Sequence, residues 1–314
     1  MRPFKTALGI LVAGLAAPVP LRAPQTPSFS SDVALVYVTV SVEDEKGQPV
    51  SGLSQADFSV AEDGKPRPVD LFATADEERA APDVSLLVDT SGSMSTYTEK
   101  LTLAALQILA RVPKARRACV LSFDNDVRVW RPDAEPVGLV RDIVAAARAN
   151  GATALNTAIV TALQQVPDPA PRAALILLSD GEDVGSRVSA AQVLTALKQS
   201  RVTVYALNHG AETALSMPHG NGVAQWGGQH RHEGLDFLKR LADLTGGRAF
   251  TQEDGPFDPV FARILAELSS QYVLGFAPGR PDKSGEHKLK IQVSRPGVTP
   301  RYRPAYILEV ADTK

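Results

Sequence analysis

Apolar and polar residues alternate from Val36 to Val42, with Val36, Val38, Val40 and Val42 on one side and Tyr37, Thr39 and Ser41 on the other. A period of two belongs to a strand with one buried face. After Gly47-Gln48-Pro49, Phe58 and Val60 alternate into Glu62-Asp63-Gly64-Lys65, and Val69 and Leu71 extend the pattern. Asp-Gly between alternating runs predicts a hairpin, because both central residues must accept positive φ. The stretch of about 33–72 thus reads as an antiparallel β unit, and Asp76-Glu77-Glu78-Arg79 with Pro82 as a linker.

The pattern then changes. Val84–Val88 is an apolar strand, and Leu101, Ala104, Ala105, Ile108, Leu109 and Val112 recur at the spacing of one helical stripe. Ala118–Phe123 and Val127–Trp130 read as strands around Asp124-Asn125-Asp126, and Ile143, Val144 and Ala147 mark a helix. Another helix carries Leu155, Ile159, Ala162, Leu163 and Val166, and Ala173–Leu178 is apolar without alternation, as in a strand buried on both faces. Ser189 and Gln192 have the spacing of a capping box ahead of Leu194 and Leu197. Val202–Leu207 reads as a strand, Leu235–Leu244 and Phe257–Leu268 as helices, and Arg248-Ala249-Phe250 as a short edge strand. Strand character returns at Tyr272–Phe276, Leu289–Val293 and Tyr306–Val310.

Alternating β and α elements predict an α/β fold with a doubly wound, mostly parallel sheet and helices on both faces. A lone three-stranded tail is marginal, so the last strands are expected to complete a small discontinuous β-sandwich-like domain with the amino-terminal ones. The expected divisions are 1–24, 25–80 (amino-terminal β segment), 81–268 (α/β domain) and 269–314 (carboxyl-terminal β segment). Residues 1–24 have the layout of a secretory signal peptide: Arg2 and Lys5, an apolar run from Ala7 to Ala17, then small residues and prolines. That run is short of the ~20 residues a spanning helix needs. The expectation is an exported protein, periplasmic or extracellular, with no transmembrane segment in the mature chain. An uncleaved amino-terminal anchor is the alternative.

Composition narrows the chemistry. With 33 Lys+Arg against 35 Asp+Glu over 314 residues, the chain lacks the basic surplus of a nucleic-acid binder. A single cysteine, Cys119, excludes an intrachain disulfide and a cysteine-rich zinc site. Oxygens remain. The first α/β strand ends in Asp89-Thr90-Ser91-Gly92-Ser93, Thr153 follows Gly151 ahead of a helix, and Ser179-Asp180-Gly181 ends the most buried strand. Loops at the carboxyl ends of such strands form the ligand edge of a doubly wound sheet. Two carboxylates and three hydroxyls converging there suit Mg²⁺, with Mn²⁺ and Ca²⁺ as alternatives, and do not suit zinc. Each residue alone also fits an ordinary role, Ser93, Ser95 and Thr153 as helix N-caps and Asp180-Gly181 as a turn.

Asp89-Thr90-Ser91-Gly92-Ser93-Met94, Gly151-Ala152-Thr153-Ala154-Leu155 and Leu178-Ser179-Asp180-Gly181 resemble the von Willebrand factor type A (VWA) domain over roughly residues 82–268. The resemblance implies a metal-ion-dependent adhesion site (MIDAS) formed by Asp89, Ser91, Ser93, Thr153 and Asp180. It also implies metal-dependent protein binding, in which a partner's Asp or Glu fills an open coordination position, and no enzymatic reaction. The flanks, Val36–Val40 to Asp57–Val60 and Ser270–Phe276, are similar to a bacterial group of exported VWFA-related proteins.

Other chemistry is weaker. Ser91 stands where a haloacid-dehalogenase-type phosphotransferase needs a second Asp, and neither a Gly-x-Ser-x-Gly elbow nor a phosphate loop occurs. His209, His219, His230 and His232 fall in a Gly-rich stretch read as a long loop, with Trp226 as a candidate contact residue. Cys119 reads as a small buried hydrophobe. The sequence therefore predicts a Mg²⁺-dependent binder of an unidentified protein. The rival is a structural scaffold of an envelope assembly with the metal as a staple.

Overall fold

The computed structural model describes residues 35–77, 81–94, 97–109, 111, 117–130, 136–147, 152–166, 172–209, 223–252, 257–280 and 284–309. The expected signal peptide, Gly151, Ser95 and His219 lie outside the described residues. Four strands come first: β1 (Val36–Asp44), β2 (Phe58–Glu62), β3 (Lys65–Arg67) and β4 (Leu71–Thr74). The α/β run follows as β5 (Asp83–Asp89), α1 (Thr98–Leu109), β6 (Arg117–Phe123), β7 (Val127–Trp130), α2 (Pro136–Ala146), α3 (Leu155–Gln164), β8 (Ala173–Ser179) and α4 (Ala190–Gln199). It continues with β9 (Val202–His209), α5 (Val223–Thr245), β10 (Arg248–Gln252) and α6 (Asp258–Leu268). Strands β11 (Tyr272–Phe276), β12 (Gly285–Val293), β13 (Val298–Arg301) and β14 (Ala305–Leu308) close the chain.

The central sheet has the order β10-β9-β8-β5-β6-β7 and is parallel except for β7, which returns antiparallel along β6. Every residue of β5 and β8 is buried, which explains why neither strand alternates between apolar and charged positions. Successive side chains of a strand point to opposite faces. Leu86, Val88, Ile176 and Leu178 accordingly pack with Leu101, Ile143 and Ile264 of α1, α2 and α6. Leu87, Leu175 and Leu177 pack on the other side with Leu155, Val193 and Leu238 of α3, α4 and α5. Helices thus cover both faces, and the strand order reverses around β5 and β8.

Two antiparallel sheets, β13-β1-β11-β4 and β14-β12-β2-β3, share one apolar core that includes Val38, Val40, Val60, Leu274 and Ile291. Within them β1 pairs with β11 (Val38 opposite Leu274) and β2 with β12 (Val60 opposite Ile291). Two segments far apart in sequence therefore complete each other's hydrogen-bond ladders. Asp63 (φ 49°) and Gly64 (φ 78°) make the hairpin turn between β2 and β3. The expected continuation through Val69 and Leu71 does not occur. Pro66 and Pro68 lack an N–H for the ladder, β3 stops at Arg67, and Leu71 opens β4 against β11 in the other sheet.

Buried polar contacts join the sandwich to the α/β layers. Glu267, near the end of α6, is fully buried and bonded by Arg301 of β13 and the Tyr205 hydroxyl of β9 (3.2 Å). Gln271 donates to Tyr205 (2.7 Å) and to Ser41 of β1 (3.3 Å). Glu43 of β1 meets Arg248, Arg263 and Arg301. Arg303 donates to the carbonyls of Leu197 (3.2 Å) and Ser200 (2.5 Å), covering the carboxyl end of α4.

The histidine stretch also differs from the expected loop. Helix α5 begins at Val223, not near Leu235, so Trp226, His230 and His232 are helical rather than part of a loop. Gly227-Gly228 reads as a break, yet a glycine costs a helix only about 1 kcal/mol each, and the Leu238 and Leu241 end is anchored in the core.

Candidate metal-binding site

Asp89 ends β5 with no exposed surface. Its Oδ1 accepts the Ser91 N–H (2.9 Å) and its Oδ2 the Ser179 hydroxyl (2.7 Å), so the carboxylate is fixed by its own loop and by the neighbouring strand β8. The chain then makes a 3₁₀ turn over Gly92–Met94, closed by Met94 N–H to Ser91 C=O (3.0 Å) and plugged into the core by the Met94 side chain. This turn brings Ser93 outward. Its hydroxyl donates to Asp180 Oδ2 at 2.6 Å, and the Ser91 and Ser93 hydroxyl oxygens lie 3.2 Å apart.

Asp180 follows β8 and is half-buried. Its Oδ1 accepts the Glu182 N–H (3.1 Å) and its carbonyl the Asn208 side-chain amide (2.9 Å). Gly181 (φ 85°) turns the chain here and packs so closely on Gly234 of α5 that a Cβ at 181 would overlap the Gly234 carbonyl. The constellation therefore runs from buried Asp89 and Ser91 to half-buried Asp180 and exposed Ser93.

Thr153 lies on the adjacent loop ahead of α3. Its carbonyl accepts the Val184 (2.9 Å) and Gly185 (3.0 Å) N–H groups, while Ala154 N–H bonds the Asp124 carbonyl (2.8 Å). The N-cap of α3 is Ala154, so Thr153 is not a capping residue. Among the described residues no hydrogen bond joins its hydroxyl to the other four site residues. The structure thus links Asp89, Ser91, Ser93 and Asp180 by hydrogen bonds in that order, and holds Thr153 beside the loop that follows Asp180.

Several further contributors lie outside the five expected site residues. Ser179 links Asp89 to the Gly181 N–H (3.0 Å). Asp183 pins its loop to Asn156 of α3 (3.2 and 2.7 Å), and Ser186 accepts the Thr157 N–H (3.0 Å). Between these anchors Val184 is 74 % exposed, an apolar side chain held outward by a fixed backbone. Buried Asp124 accepts the Asp126 N–H (2.9 Å) and the Arg128 guanidinium (3.2 Å).

Burial, and next the nearby Asp180 carboxylate, push Asp89 up to about 7, against the lowering effect of the Ser179 and Ser91 hydrogen bonds. A buried carboxylate beside a second negative charge fits a cation that compensates both. Among the described residues no group of three or more His, Cys, Asp or Glu could hold a metal. The oxygens brought together here, the Asp89 and Asp180 carboxylates and the Ser91 and Ser93 hydroxyls, are hard donors of the kind that suit Mg²⁺ or Mn²⁺.

Fold and edge together define a doubly wound α/β domain with an oxygen-lined loop cluster at the carboxyl ends of β5 and β8. The family described as "VWA domain containing CoxE-like protein" matches residues 61–220, just over half of the chain. The protein belongs to the VWA family. No curated protein sequence matches it. Among solved structures, it is similar to a von Willebrand factor type A protein from Catenulispora acidiphila (14% identity, 89% of this chain, 74% of that one, TM-score 0.46). It is also similar to BatB from Bacteroides thetaiotaomicron (15% identity, 60% and 98%, TM-score 0.43) and to manganese-loaded Plasmodium vivax TRAP (13% identity, 78% and 97%, TM-score 0.40). No helix among the described residues is long and apolar enough to cross a membrane.

Proposed function

We propose that the protein binds Mg²⁺ through Asp89, Ser91, Ser93, Thr153 and Asp180, and through that ion captures the Asp or Glu carboxylate of a protein partner outside the cytoplasm. Residues 81–268 carry the site, and segments 25–80 and 269–314 form one flanking module. The observation behind this reading is the convergence of the Ser91 and Ser93 hydroxyls with Asp180 next to fully buried Asp89. Asp89 and Asp180 supply charge, directly or through water, and the hydroxyls supply neutral contacts. Bound there, the cation would retain electrophilic character toward an incoming carboxylate. Exposed Ser93 leaves the site open to solvent, which favours an exchangeable position over a closed structural staple. Val184 offers the partner an apolar contact beside it.

Calorimetric titration of Mg²⁺ into metal-free protein tests the reading. Saturable one-to-one binding is expected, lost in Asp180→Ala and Ser91→Ala while the fold and its circular dichroism persist. The reading fails if both variants bind Mg²⁺ as the parent does. It fails equally if neither Mg²⁺ nor Mn²⁺ binds the parent, alone or with a carboxylate peptide present.

A further inference from the structure

Asn208 stands opposite Ser179 in the register of β8 and β9, so the two side chains leave the sheet on the same face. Ser179 already belongs to the metal edge through its bond to Asp89. Asn208 is uncharged and only 2 % exposed, yet it reaches that edge too: its side-chain amide donates to the Asp180 carbonyl (2.9 Å). This contact fixes the amide's orientation, because turning Oδ1 toward the carbonyl would set two acceptors against each other. Oδ1 is then left buried with no hydrogen bond. An unpaired buried acceptor costs the fold, so stability alone does not account for an amide here. The bond that Asn208 does make goes to a residue of the candidate site.

The carbonyl it holds lies where the chain can turn over. The Asp180–Gly181 peptide precedes a left-handed glycine (φ 85°), and glycine's freedom lets that peptide plane rotate at little steric cost. Rotation would carry the Glu182 N–H away from Asp180 Oδ1, which it meets at 3.1 Å, and release the carboxylate from its own loop. Two contacts oppose this. Asn208 Nδ2 ties the carbonyl to β9, and Gly234 of α5 closes on the same oxygen, where a Cβ would lie at 2.7 Å. A strand and a helix that contribute none of the five expected ligands thus hold the Asp180 backbone.

We infer that Asn208 is a positioning residue that sets the metal preference of the site: by locking the Asp180–Gly181 peptide it favours Mg²⁺ over Ca²⁺. The inference rests on the Mg²⁺ site proposed above. Mg²⁺ needs near-octahedral oxygens at about 2.0–2.1 Å, whereas Ca²⁺ accepts about six to eight at roughly 2.3–2.6 Å in looser arrangements. A carboxylate free to shift therefore weakens Mg²⁺ binding more than Ca²⁺ binding. The test is calorimetric titration of each ion into the metal-free full chain, as parent, Asn208→Ala and Val204→Ala. The parent should bind Mg²⁺ more tightly than Ca²⁺. In Asn208→Ala the Mg²⁺ affinity should fall about tenfold and the Ca²⁺ affinity less than about threefold. Alanine removes the orphan acceptor along with the bond, so melting should change little. Val204→Ala opens a cavity in the same strand away from that bond, and should lower melting while leaving the ratio of the two affinities unchanged. Mg²⁺ binding by Asn208→Ala as tight as the parent's overturns the inference and leaves the site itself standing. Equal losses for both ions, a collapse of melting in Asn208→Ala, or the same change of ratio in Val204→Ala would assign Asn208 to the fold instead. A parent that prefers Ca²⁺ also overturns it, and one that binds neither ion removes the site and this role together.

Discussion

Replacing Gly234 by Ala reverses the usual sign of a helix substitution. In an ordinary helix Gly→Ala gains about 0.5–1 kcal/mol, because alanine loses less backbone entropy on folding. Gly138 of α2 is such a position, with nothing within 4 Å of the added Cβ. At Gly234 the Cβ would lie 2.7 Å from the Asp180 carbonyl oxygen and 3.0 Å from the Gly181 carbonyl carbon, both backbone atoms that cannot rotate aside. The loop carrying Asp180 must shift, and overpacking of this kind costs about 1–3 kcal/mol, which exceeds the propensity gain. The expected outcome is a net loss of roughly 1–2 kcal/mol in urea unfolding for Gly234→Ala, against a gain for Gly138→Ala. Because Asp180 moves with its loop, Mg²⁺ affinity should fall about tenfold or more in the same protein, equivalent to ~1.4 kcal/mol. If Gly234→Ala gains stability as Gly138→Ala does and binds Mg²⁺ normally, the close packing of α5 on the Asp180 loop does not set the site's geometry.

Glu267→Gln should destabilise the protein by about 3 kcal/mol in denaturant unfolding, because it leaves Arg301 facing a neutral group in a buried network. A change under 1 kcal/mol would show that this network does not hold α6 to the sandwich. Burial pushes Glu43 up, but hydrogen bonds and charge from Arg248 and Arg301 outweigh it and hold the carboxyl below its ordinary 4.5. Its stabilising contribution is therefore present above that value and lost as pH falls through the lower folded-state pKa. The gap in urea midpoint between the parent and Glu43→Gln should shrink from pH 7 to pH 3, and an equal gap at both would refute the ion-pair account. Val184→Ser, at an exposed position, should change stability by no more than about 0.5 kcal/mol while weakening metal-dependent capture of carboxylate peptides. Undiminished capture would remove Val184 from the partner surface.

Local pattern determined much of this molecule. The two-face burial of β8, the Asp63-Gly64 hairpin and the Ser189–Gln192 capping box were legible because each depends on residues close in sequence. The run Asp89-Ser91-Ser93 was legible for the same reason, since one strand end and one turn place all three. Only the tertiary structure decided what those residues touch. The Ser93–Asp180 and Ser179–Asp89 bonds span 87 and 90 positions, and the backbone contact between Gly181 and Gly234 joins a loop to a helix that the sequence alone starts too late. Likewise, Val69 and Leu71 read locally as a continuation of the hairpin, but the switch of Leu71 to the β11 sheet depends on a strand some two hundred residues away. Residue periodicity encodes which face of an element is apolar. It does not encode which distant backbone that face approaches, because that choice is made by packing all the layers at once.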